Sequence, residues 1–66
     1  MKVQINGQVE TIPDECTVAR LVADRQLQPV RVAVEVNGQL VPRKDYERAV
    51  LREGDRVEMV TFVGGG

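Results

Sequence analysis

Two Asn-Gly dipeptides, Asn6-Gly7 and Asn37-Gly38, punctuate a chain of only 66 residues. Before the first, Val3 and Ile5 alternate with Lys2 and Gln4, and after it Val9 opens a second alternating segment that runs to Ile12. Apolar residues at a spacing of two on both sides of Asn-Gly are a strong β-hairpin signal, because this pair accepts the positive φ angles of a two-residue loop. Before the second, Val32, Val34 and Val36 share one face of a third strand, and Leu40 and Val41 return after it toward Pro42. The chain is therefore expected to be strand-rich at both ends of a short central segment.

That central segment reads as one helix. Pro13 ends the second strand, Thr17 is the candidate N-cap, and Val18, Leu21 and Val22 form an apolar face at helical spacing. Arg20 stands where a capping box would carry Glu or Gln. Gln28-Pro29 is expected to close the helix, since the residue before proline disfavours helical angles. The stretch 43–52 is charged and mixed, with Tyr46, Ala49, Val50 and Leu51 as anchors, and reads as a crossover containing a single helical turn. Gly54-Asp55 then turns into a last strand in which Val57, Met59, Thr61 and Val63 face one way and Val60 and Phe62 the other.

Hairpin, helix, strands, crossover and final strand add up to an α+β fold: a small mixed sheet with one main helix on one face. The first and last strands are expected side by side and parallel, which is the β-grasp arrangement. At this length only about 60% of the unfolded chain's surface can be buried, so there is one domain and no deep cleft. Residues 1–63 are assigned to the folded domain and 64–66 to a flexible C-terminal tail.

Several functions are disfavoured by composition. Nine Lys plus Arg against ten Asp plus Glu give a net charge of −1, with no basic footprint for nucleic acid or an anionic membrane. No stretch resembles a signal peptide or a membrane span, so a cytoplasmic location is the default expectation. There is no His, and Cys16 is alone, so neither an internal disulfide nor a Cys-rich metal site is expected. Cys16 lies just before the helix, where the dipole could lower its pKa, but burial as a small hydrophobe is the preferred reading. Asp14, Glu15, Asp24 and Glu53 read as solvated surface. No glycine-rich loop opens a helix, so a bound nucleotide phosphate would have to be held by another protein. An enzyme is not expected.

Gly64, Gly65 and Gly66 follow directly on the final apolar run. Three glycines make a thin thread reaching roughly 10 Å when extended. Such a thread is either a frayed end or one shaped to enter another protein. If Val57 and Met59 point at the helix, Val60 and Phe62 lie on the uncovered sheet face just before it. An exposed aromatic there is a docking anchor for a partner protein. The alternative is that the crossover 43–51 folds over and buries both. Arg52 and Arg56 could add charge steering to that face.

Together, Asn6-Gly7, the run Val36-Asn37-Gly38 before Val41-Pro42-Arg43, Gly54-Asp55-Arg56-Val57-Glu58 and the ending Phe62-Val63-Gly64-Gly65-Gly66 resemble the ThiS family, sulfur carriers of thiamine biosynthesis among the ubiquitin-like proteins. The resemblance spans the whole chain, and the terminal diglycine after a strand is its specific part. It implies a carrier whose C-terminal glycine, here Gly66, is adenylated with ATP by a ThiF-type partner. It further implies conversion to a thiocarboxylate with sulfur from a donor protein, and delivery to a ThiG-type thiazole synthase. Gly65 matches the other half of the diglycine, and Gly64 is a spacer. A MoaD-like carrier for molybdopterin synthesis, a ubiquitin-like modifier and a β-grasp binding module remain as alternatives.

Overall fold

The structure, a computed structural model, describes residues 1–62. Its strands are β1 (Lys2–Ile5), β2 (Gln8–Thr11), β3 (Val32–Val36), β4 (Gln39–Leu40) and β5 (Arg56–Thr61). The helix α1 covers Val18–Asp24, and 3-10 turns occupy Pro29–Arg31 and Arg43–Asp45. The strands form one sheet in the order β2-β1-β5-β3-β4, with β1 and β5 parallel and the other pairs antiparallel. This is the expected mixed β-grasp sheet, with the last strand inserted between the two hairpins.

Both Asn-Gly pairs turn as the sequence requires. Asn6 and Gly7 have φ of 50° and 86°, and Asn37 and Gly38 have 53° and 84°. Positive φ at both central positions matches the right-handed twist of the flanking strands, and a β-branched residue at either would be strained. The registers Ile5↔Gln8 and Val36↔Gln39 close directly over these loops.

The core lies between α1 and one sheet face. Val3, Ile5, Val32, Val34, Val57 and Met59 from the strands pack with Val18, Leu21 and Val22 from the helix, and Tyr46 and Leu51 complete the cluster from the crossover. Thr17 caps α1 as expected, its side-chain oxygen accepting from Arg20 N at 3.1 Å. A cap of this kind contributes about 1 kcal/mol, whereas each fully buried Val or Leu side chain contributes roughly 1.5–3 kcal/mol. Packing rather than capping therefore holds this seven-residue helix in place.

The helix stops earlier than the sequence suggests. It ends at Asp24, and Pro29 instead opens the following 3-10 turn. Leu27 N donates to Val22 O at 3.1 Å and Gln26 N to Ala23 O at 2.9 Å, a Schellman motif with Gln26 at φ 59°. Glycine usually marks that position, so a glutamine there leaves no signal to read.

One smaller expectation is also corrected. Val50 is not an anchor of the crossover, being 45% exposed, while its neighbour Leu51 is buried. Val50 instead forms an isolated bridge with Thr17. Thr61 faces the same way as Val57 and Met59, as expected, through its pairing with Val32, and is exposed at the end of the strand. The readings made for Val63 and for the tail Gly64–Gly66 lie outside the described residues.

Candidate functional site

The site is built from the strand register. Gln4 pairs with Arg56, which places Arg56, Glu58 and Val60 on the sheet face opposite α1. Val60 pairs with Ala33, and Glu58 with Glu35, whose other neighbour is Leu40. The uncovered face is therefore charged toward the start of β5 and apolar toward its end.

Val60 is 59% exposed and Phe62 is 48% exposed, as the alternation in β5 predicts. The crossover does not fold over them. Its anchors Tyr46 and Leu51 are drawn to the helix side of the sheet, where Ala19 N donates to Tyr46 O at 2.8 Å and Leu51 N to Cys16 O at 2.8 Å. The crossover passes beside Phe62 at Arg43 and Tyr46 without burying it.

Phe62 is a ridge between two depressions. One, of about 410 Å³, runs past Gln26, Leu27, Gln28 and Arg31. The other, of about 310 Å³, is lined by Ala33, Leu40, Val41, Pro42, Arg43 and Tyr46. Sequence reasoning missed Leu40, which is 65% exposed and joins the apolar patch from the edge strand. The hairpin register was the available signal, since Val36 opposite Gln39 places Leu40 opposite Glu35 on the open face.

The arginines expected to steer a partner are split. Arg56 stands on the open face at the far end of β5 from Phe62, and the Arg52 backbone N–H is bound by the Asp55 carboxylate at 2.8 Å. Among the acids read as surface, Asp14 pairs with the N-terminal ammonium at 3.1 Å, and Glu53 accepts from Lys2 N at 2.9 Å. Cys16 takes no part in this face: it is 3% exposed, and burial raises its thiol pKa, the Arg20 charge opposing that shift and Asp24 adding to it. Among the described residues no three His, Cys, Asp or Glu side chains gather as a metal site. No helix there is long and apolar enough to cross a membrane.

Phe62 is an exposed aromatic with exposed aliphatics on the same sheet face, and in the sequence it is followed by Val63 and three glycines. Among the described residues no paired acid and base, exposed thiol or glycine-rich helix-opening loop lies on this face.

A family model described as the ThiS family matches residues 3–66. The sulfur carrier protein ThiS of Bacillus subtilis (strain 168) is 38% identical over 64 residues, covering 96% of this chain and 97% of that protein. The thiazole synthase of Paramagnetospirillum magneticum is 36% identical over 66 residues, which is 100% of this chain but 20% of that protein, so the chain spans about a fifth of its length. The crystal structure of the thiamine biosynthesis protein (ThiS) from Geobacter metallireducens superposes with a TM-score of 0.84 at 30% identity, covering 100% of both chains.

Proposed function

Because the chain belongs to the ThiS family, we propose that it is a sulfur carrier of thiamine biosynthesis, with the carboxyl group of Gly66 as the carrying group. The observation that carries this reading is the extent of the family match: it runs through residue 66, so the diglycine lies inside the matched span.

A carboxylate is a poor electrophile because its charge repels nucleophiles. A ThiF-type enzyme joins the Gly66 carboxylate to the α-phosphate of ATP and releases pyrophosphate. The terminal sulfur of a donor protein's persulfide then attacks the acyl carbon and expels AMP, and a second thiol cleaves the resulting acyl disulfide, forming a disulfide with the donor sulfur and releasing the thiocarboxylate. Gly65 and Gly66 bring only backbone past the nucleotide, where a Cβ would obstruct the approach. Val60 and Phe62 hold the activating enzyme, with Leu40 and Ala33 extending the contact. The thiocarboxylate passes its sulfur to a ThiG-type thiazole synthase, a recipient supported by the thiazole synthase that itself contains a region similar to this whole chain. The protein acts as a co-substrate, recharged after each delivery, and ATP belongs to the activating enzyme.

The test is the intact mass of the chain after incubation with a ThiF-type enzyme, ATP and a sulfur donor. A gain equal to one oxygen replaced by sulfur is expected, and it should vanish when Gly66 is deleted while the melting temperature stays unchanged. No gain with a demonstrably active enzyme, or a gain that survives the deletion, would remove Gly66 from this role.

A further inference from the structure

Phe62 donates its backbone N–H to Arg31 O at 2.8 Å, one rung beyond the Thr61↔Val32 pair. Arg31 ends the 3-10 turn Pro29–Arg31 and belongs to no strand. The last rung among the described residues is therefore supplied by a segment that lies outside the strands.

Arg43 fixes that segment instead. Its Nε donates to Pro29 O at 2.8 Å, and its Nη2 reaches Val30 O at 3.3 Å and Val32 O at 3.5 Å. Tyr46 adds a buried hydrogen bond from its hydroxyl to Val32 O at 2.9 Å. One guanidinium thus engages the carbonyls of residues 29, 30 and 32, on both sides of the Arg31 carbonyl that receives Phe62. Hydrogen bonds from a charged donor are stronger than neutral ones, and a planar fork can serve several carbonyls at once.

We propose that Arg43 is a positioning residue for carrier chemistry: by immobilising the 29–32 segment it fixes the rung at Phe62, and with it the point from which residues 63–66 continue. This rests on the carrier reading above. An enzyme that takes up a short chain end pays in affinity for every residue it must order at the root. Arg43 lowers that cost before the encounter, and because the bound enzyme supplies its own order, the benefit falls on KM rather than kcat.

The experiment compares the full chain with Arg43→Ala and Arg43→Lys by amide hydrogen exchange and by ATP-dependent activation kinetics with a ThiF-type enzyme. In Arg43→Ala, the Phe62 amide should exchange about tenfold faster, with the core amides of Val34 and Val57 unchanged. The KM for the carrier should rise roughly threefold or more at constant kcat. Arg43→Lys keeps the charge without the fork and should fall between the two. Unchanged Phe62 exchange, a uniform acceleration of all amides, or faster Phe62 exchange with an unmoved KM would each overturn the proposal. A wild-type chain that is never adenylated would overturn the carrier reading and this role together, whereas normal activation with no effect of Arg43 overturns this role alone.

Discussion

Asn6 and Met59 exchange two hydrogen bonds: Met59 N donates to Asn6 Oδ1 at 2.8 Å, and Asn6 Nδ2 donates to Met59 O at 3.3 Å. The parallel β1/β5 ladder runs through Gln4 N to Asp55 O and Asn6 N to Val57 O, both at 2.9 Å. Its next rung would come from backbone that has already turned away at Gly7. The Asn6 side-chain amide takes the place of that missing peptide group, with one acceptor and one donor in the same spacing. Asn37 holds the other side of β5 similarly, its Oδ1 accepting from Arg56 N at 3.0 Å and its backbone N–H donating to Arg56 O at 2.7 Å.

Replacing Asn6 separates its two duties. Asn6→Gly keeps the left-handed turn and loses the side-chain pair, which at roughly 0.5–1.5 kcal/mol per hydrogen bond should cost about 1–3 kcal/mol. Asn6→Ala loses the pair and also places a Cβ at φ 50°, adding about 1 kcal/mol more. Urea denaturation of the three proteins would test the order wild type, Asn6→Gly, Asn6→Ala. Equal midpoints for wild type and Asn6→Gly would mean the pair contributes nothing net.

Gln26 offers a change in the opposite direction. It holds the αL position of the helix C-terminus at φ 59°, where glycine has no Cβ penalty. Gln26→Gly should raise stability by about 0.5–1 kcal/mol, the strain relieved exceeding the entropy added to the unfolded chain. A lowered thermal midpoint would show that the Gln26 side chain contributes more than its backbone strain removes.

The contrast between these two positions explains what could be read in advance. Asn6-Gly7 and Asn37-Gly38 announce their turns because turn chemistry is local, and the period-two valines announce which face is buried. The helix end at Asp24 was not legible, since Gln26 adopts αL without being glycine or asparagine. Nor was the pairing of Asn6 with Met59, a contact across 53 residues that exists only once β5 lies beside β1. On the candidate site, alternation put Val60 and Phe62 on the face away from the helix, but their exposure needed the fold, because the crossover could have covered them. Leu40 needed the register of the second hairpin, and Arg43 needed the fold, because its partners are backbone carbonyls with no sequence signature.

Cys16 gives a pH dependence of known sign. Burial raises its thiol pKa above the ordinary 9.0, with the Arg20 charge acting the other way. Well below that value, folded and unfolded chains both keep the proton, and the stabilisation is fully present. As pH climbs past it, the unfolded chain ionises first, so stability declines until the folded thiol also titrates. The urea midpoint of the wild type should therefore fall more steeply than that of Cys16→Ala between about pH 8 and pH 11, the other titrating groups being shared. Parallel curves would mean that the folded thiol titrates as it does in the unfolded chain.

The open sheet face provides the sharpest separation of binding from folding. Phe62, Leu40 and Val60 are each about half exposed or more, so truncating any of them to alanine removes little buried area and should lower stability by less than about 1 kcal/mol. If the activating enzyme closes over this patch, the same truncations remove contacts that are dry in the complex. Phe62→Ala should then weaken association by roughly 2 kcal/mol, with smaller losses for Leu40→Ala and Val60→Ala. Val9 supplies the control, because it is 67% exposed on the same face but belongs to β2, at the opposite edge of the sheet from β4. Titration calorimetry against the enzyme should leave Val9→Ala indistinguishable from wild type. A Val9→Ala loss as large as that of Phe62→Ala would place the contact across the whole face, and no loss from Phe62→Ala would remove the aromatic ridge from the interface altogether.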